Sequence, residues 1–135
     1  MAQAHFPALK LEALPAVLEF VEGAALALGG EPEAVTDLII AVNEAVTNIL
    51  AHGYASRPGA LTAEVQRGAD GLEVRLRDEA PPFDPTQAPA PDLSLPLEAR
   101  QPGGLGAHFM RHFTDEVRHR PLPGGGNELI LIKRG

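Results

Sequence analysis

Glu44, Asn48 and His52 stand at i, i+4 and i+8 in the run Asn43-Glu44-Ala45-Val46-Thr47-Asn48-Ile49-Leu50-Ala51-His52-Gly53-Tyr54. A helix advances roughly 100° per residue, so these three side chains would share one stripe. A carboxylate there can take a proton, and a carboxamide oxygen can ligate a hard cation. Asp78 is a second candidate, at the exit of the apolar strand Leu72-Glu73-Val74-Arg75-Leu76-Arg77. A carboxylate at a strand exit can accept a hydrogen bond from an exocyclic amine such as that of adenine. Hydrogen bonds to a charged group contribute roughly 1.5–3 kcal/mol. A third candidate is Gly103-Gly104-Leu105-Gly106, where bare backbone would let N–H groups approach phosphate oxygens at a helix start. Each has an ordinary alternative: a solvated polar stripe, an Asp that only begins a turn, and a plain helix-start turn.

The elements that must hold these residues follow from apolar spacing. Leu14, Val17, Leu18, Val21, Ala24, Ala25 and Leu28 recur at helical intervals, with Pro15 in the first turn and Gly29-Gly30 as the stop. Pro32 opens a second helix running to about Tyr54. Val35, Leu38, Val42, Ala45, Val46 and Ile49 lie on the side away from Glu44. A short strand over Phe6 to Leu11 precedes the helices. Leu61, Ala63 and Val65, then Leu72, Val74 and Leu76, alternate with polar residues around the hairpin turn Gly68-Ala69-Asp70-Gly71. Residues 80–102 hold seven of the prolines and read as a lid rather than a linker. A short helix over Ala107 to Phe113 and a final hairpin, Asp115 to Arg120 and Asn127 to Lys133, complete the chain. Helices and strands are segregated. The expected fold is α+β: a two-layer sandwich of a mostly antiparallel, mixed sheet with about three helices on one face.

The 135 residues suit one domain, 1–135, around one core. No cysteine is present, which excludes disulfides and thiolate chemistry. The formal net charge of −7 and the lack of a basic run argue against nucleic acid as a partner. No apolar run suggests a bilayer span and no leader is visible, so a cytoplasmic protein without a membrane partner is expected.

Taken in order, the three candidates resemble the GHKL, or Bergerat-fold, ATPase family of histidine-kinase catalytic domains and gyrase. The resemblance is to its small standalone branch, the anti-sigma-factor serine/threonine kinases. It rests on Asn43 to Tyr54 (Asn-Glu-Ala-x-x-Asn-x-x-x-His-x-Tyr), Pro82-Phe83-Asp84-Pro85, the loop Gly103 to Gly106 and the C-terminal hairpin, and covers almost the whole chain. It implies ATP and Mg²⁺. Glu44 would be the general base that takes the proton from the attacking hydroxyl, and Asn48 would ligate the metal. Asp78 would read the adenine amine. Gly104, Leu105 and Gly106 would offer amides to the phosphates, with Gly103 allowing the approach. Phe83 would pack beside the lid, and His52 and Tyr54 would be structural.

The resemblance also implies the partners: a STAS-domain anti-anti-sigma protein as substrate, a sigma factor, and a homodimer. Two positions depart from the family pattern. Ala80 replaces a glycine, and its methyl would crowd the purine or disfavour a positive φ. Asn127 stands near the usual threonine that supports adenine through water. The alternative function is a nucleotide-binding or partner-binding module of the same fold without catalysis, motivated by Ala80. A sensor histidine kinase fragment fits less well, because His5 sits in no helical hairpin.

Overall fold

The computed structural model describes residues 1–82 and 110–135. Its elements, in order, are strand β1 (Ala2–Leu9), a 3₁₀ turn (Leu11–Ala13), helices α1 (Leu14–Ala27) and α2 (Pro32–Asn48), a π-helical turn (Ile49–Gly53), and strands β2 (Gly59–Gly68), β3 (Gly71–Asp78), β4 (Glu116–Pro121) and β5 (Asn127–Lys133). The strands form one sheet in the order β1-β2-β3-β5-β4. Every described pairing is antiparallel, so the described sheet is not mixed. The first strand is longer than expected and begins at Ala2, because its edge pairs along β2 from Val65 to Gly59. Of the third helix only Met110–His112 is described. Phe83, Gly103, Gly104, Leu105 and Gly106 lie outside the described residues, as does the lid beyond Pro82.

Alternation sets the two faces of the sheet. Register aligns Ala63 with Leu76 and Leu76 with Leu129, and Val65 with Val74 and Val74 with Leu131. These rows are buried in one core cluster with Val17, Val21 and Ala25 of α1 and Leu38, Val42, Ala45 and Val46 of α2. Fully burying such a side chain is worth about 1.5–3 kcal/mol, which is what fixes the helices on this face. One row further along, Leu61, Asp78 and Asn127 are aligned across the same three strands. The apolar row pattern thus ends in a carboxylate beside a carboxamide.

Two expectations about α2 change. Its helical run does not stay α-helical to Tyr54. From Ile49 it widens into a π turn, closed by the Tyr54 N–H donating to the Ile49 carbonyl at 2.9 Å. The extra residue in that turn takes His52 off the stripe, leaving Asn48 buried and His52 exposed. The chain then reverses through Ala55 and Ser56, at φ 52° and 65°. Second, the continuous helix Pro32–Gly53, 22 residues, is apolar enough by length and composition to cross a bilayer, contrary to the sequence reading. Within the fold 56% of its apolar window is buried, the ordinary situation of a core helix.

Candidate functional site

Glu44 and Asn48 sit one turn apart on α2, the first half-buried and the second 5% exposed. Neither side chain makes a hydrogen bond or ion pair to another described residue. The Asn48 polar atoms are not among the fully buried, unsatisfied ones, so they remain open to water or a ligand. Both groups therefore have their chemistry to spare.

The C-terminal end of this helix is fastened to the Asp78 exit at two points. The Tyr54 hydroxyl donates to the Ala60 carbonyl and accepts from the Glu79 N–H, both at 2.6 Å. This one group ties the helix end, the start of β2 and the residue after Asp78 together. Its pKa is raised, chiefly by burial, with the nearby Asp78 and Glu79 charges adding to the effect and the Glu79 hydrogen bond opposing it. The second point is Gly53. A Cβ there would lie 3.1 Å from the Ala80 Cβ. The glycine makes room for the methyl that distinguishes this chain from the family pattern.

Of the two effects expected of Ala80, the strained φ does not arise. The residue is 2% exposed, its φ is not positive, and its N–H donates to Asp78 Oδ1 at 2.9 Å. The methyl points to the end of α2, and the turn needs no left-handed residue.

Asp78 is itself buried, at 6% exposure. Asn127 Nδ2 also donates to Asp78 Oδ1, at 3.0 Å, and reaches the Ala80 and Pro81 carbonyls at 3.3 and 3.2 Å. The described donors to Asp78 both fall on Oδ1, so Oδ2 remains as an acceptor for a ligand. Burial pushes the Asp78 carboxyl above the ordinary Asp range; the hydrogen bonds from Asn127 and Ala80 and the charge of His119 pull against it without cancelling it. Gly126 lets the β4–β5 turn close on this corner, because a side chain there would run into the Asp78 carbonyl.

On the opposite face the polar groups are matched differently. Glu128, fully buried, accepts from Arg77 Nε at 2.7 Å and Arg120 Nε at 2.8 Å, with Arg75 at 3.6 Å. Arg77 also reaches Glu64 at 3.0 Å. Burial alone would raise the Glu128 carboxyl, but Arg77 and Arg120 outweigh it and hold it below the usual range.

The fold thus joins Asp78, Ala80 and Asn127 in one corner against the helix end at Gly53 and Tyr54, with Asn48 and Glu44 further back along α2 and His52 exposed. Sequence reading took Gly126 only as part of the Gly124–Gly126 hairpin turn and missed Gly53, His119 and Glu128; of these three only Glu128 carried a signal, a charged residue opening the apolar strand Leu129-Ile130-Leu131-Ile132.

The profile of the histidine kinase-like ATPase domain family matches residues 7–133. Serine/threonine-protein kinase BtrW of Bordetella bronchiseptica is 32% identical over 95 residues, 70% of this chain and 66% of that protein, just under two thirds of its length. An anti-sigma F factor of Thermoanaerobacter is 30% identical over 102 residues, 75% of this chain and 71% of the relative. Serine-protein kinase RsbW of Listeria monocytogenes is 35% identical over 117 residues, covering 78% of this chain and 74% of its own. With a match over nearly its whole length, the chain belongs to the histidine kinase-like ATPase domain family.

Proposed function

We propose that the protein is an ATP-dependent serine/threonine kinase acting as an anti-sigma-type switch, with a STAS-domain antagonist as its phosphoryl acceptor. The observation that carries the site is Asn48: a buried carboxamide without a partner among the described residues, one turn from an equally unpaired Glu44. The kinase and anti-sigma names of the relatives support the reaction and the partner class.

In this reading Asp78 Oδ2 accepts from the adenine amine, with Asn127 and Ala80 holding the carboxylate in place. Glu44 takes the proton from the attacking hydroxyl. The Asn48 carboxamide oxygen would hold Mg²⁺. No group of three or more His, Asp or Glu able to hold a metal occurs among the described residues. That suits a hard cation held by one protein oxygen together with phosphates and water. When bound, the metal supplies charge neutralisation for the phosphate oxygens, the main requirement of phosphoryl transfer. Phe83 and the Gly103–Gly106 loop keep the roles implied by the resemblance, as do the 80–102 lid of a single 1–135 domain, the sigma factor and the homodimer. The alternative, a nucleotide-binding or partner-binding module without catalysis, is disfavoured by the packing of the Ala80 methyl toward Gly53.

The test is incubation with labelled ATP, Mg²⁺ and any STAS-domain protein encoded beside it. Label on a Ser or Thr of that protein is expected. Glu44→Ala should lower transfer by about 10²–10⁴-fold with ATP binding kept, the usual range for a general base. ATP binding without transfer by the native chain would remove the kinase reading, and absence of binding would remove the site.

A further inference from the structure

Beside the Glu44–Asn48 stripe, α2 borders an open cavity of about 370 Å³, shared with the 3₁₀ turn before α1 and with the loop after the π turn. Thr47 and Ala51 contribute its helical wall, and Thr47 is three residues from Glu44, about one helical turn. Lys10 and Arg57 stand on the rim. Both are exposed, and neither side chain has a hydrogen bond or ion pair to a described residue. Glu12 is the one carboxylate in the lining. Leu11, beside Lys10, is 57% exposed, one of three large apolar side chains left in solvent among the described residues. The Arg57 side of the cavity is built on strained backbone. Ala55 and Ser56 are the described non-glycine residues with positive φ, at 52° and 65°. The reversal is held by the Ser56 N–H donating to the Leu50 carbonyl at 2.8 Å and the Arg57 N–H donating to the Tyr54 carbonyl at 3.0 Å. Backbone kept in this region at the wall of a cavity points to a shape that function uses.

We propose that this cavity is the docking site of the phosphoryl-acceptor protein: it takes an apolar side chain of that protein onto Leu11 while Lys10 and Arg57 hold flanking carboxylates. The inference rests on the kinase reading. A hydroxyl that gives its proton to Glu44 must come within about 3 Å of it, so the protein carrying that hydroxyl lies over the neighbouring surface of α2. Two concavities flank Glu44 along the helix. The one toward the N-terminal end, at Leu26, Thr36 and Ile40, has Glu22 as its only charged lining residue. The one at Thr47 has two unpaired cations against one carboxylate. An acidic, partly apolar segment is complementary to the second and not to the first. The chain carries a net charge of −7, so this attraction is local. It sets the register of the acceptor rather than drawing it from a distance.

The test is steady-state transfer from ATP–Mg²⁺ to the STAS-domain acceptor, with the acceptor varied. Reversing both cations, Lys10→Glu with Arg57→Glu, should raise the acceptor KM by about 10-fold or more, with kcat within about 2-fold and the ATP Kd unchanged. The native KM should climb with added salt, and that of the reversed variant should stay flat. Lys10→Arg with Arg57→Lys keeps both charges and should stay within about 2–3-fold of native. Leu11→Ala should raise the KM without changing its salt dependence. Glu22→Lys, at the other concavity, should leave the KM as it is. Both cations are exposed, so the reversed chain should unfold at the native temperature. If it does not fold, the single reversals give the same comparison. A native acceptor KM in the reversed variant overturns the docking site alone. So does an ATP Kd that weakens as much as the KM, because the cations would then hold phosphate oxygens. A native chain that transfers no phosphate removes the kinase reading and this proposal with it.

Discussion

Asn127 and Glu128 are neighbours in β5 and point to opposite faces of the sheet, and the two faces treat polar groups in opposite ways. On the outer face a fully buried carboxylate is surrounded by Arg75, Arg77 and Arg120. On the inner face Asp78 is buried with donors on one oxygen only, and Asn48 and Glu44 have no partner among the described residues. Matched polar burial fixes structure, because every charge already has its counter-charge. Acceptors left open on the inner face can take a ligand, although the one fully buried polar atom without a hydrogen-bond partner among the described residues, Arg75 Nε, lies on the outer face.

The comparison breaks most sharply at Glu128. Glu128→Ala leaves two close arginines without their shared carboxylate, but both are part-exposed, so the cost in denaturant unfolding should be about 2–3 kcal/mol. Nucleotide affinity of the folded fraction should stay near native. A large affinity loss with little destabilisation would erase the distinction between the faces.

Acidification tests the inner face. Asp78 holds its proton to a higher pH in the folded chain than the unfolded value of about 3.9. Its contribution to stability is therefore largest below about pH 3.9 and fades as pH rises through the raised folded value. Adenine recognition runs the other way, since the ionised form accepts: affinity should fall as pH drops through the raised value. The loss approaches about 1.5–3 kcal/mol, the worth of a hydrogen bond to a charged group. ATP titrations across that window, with Asp78→Asn as the flat control, decide it. An Asn variant with the same profile would place the titration elsewhere.

Tyr54→Phe removes the donor to Ala60 and the acceptor for Glu79. About 1–2 kcal/mol of stability should go with it, and ATP affinity should weaken because the helix end is no longer tied to the Asp78 exit. A stability loss without any affinity change would mean the tie does not position the site. The smallest effect is expected for Ala80→Gly. Because the methyl packs toward Gly53, ATP affinity should move by less than about 0.5 kcal/mol, the ordinary scale of a change that breaks no named interaction. A marked tightening would mean that the methyl does meet the base.

The apolar spacing of Leu14 to Leu28 and Val35 to Ile49, and the alternation of β2, β3 and β5, were enough to read the helices, the hairpins and the segregated α+β plan. Local periodicity is a property of each segment by itself, so it survives without knowing what the segment packs against. The motif residues Glu44, Asn48 and Asp78 were legible for the same reason: their type and spacing already suggested chemistry. The π turn was not, because the same residues suit an α-helix and only the Tyr54 and Ser56 hydrogen bonds reveal the widened turn.

By itself, then, the sequence determined which elements form, which face of each is apolar, and which residue types stand at the helix stripe and the strand exit. Tertiary structure alone decided that Asp78 pairs in register with Asn127, that Asn127 leans on His119, that Ala80 fits against Gly53, and that Glu128 is a closed charge cluster. Each of these joins residues far apart in the chain or on different strands. Strand register and close backbone approach, which composition and periodicity do not encode, set the distances between them.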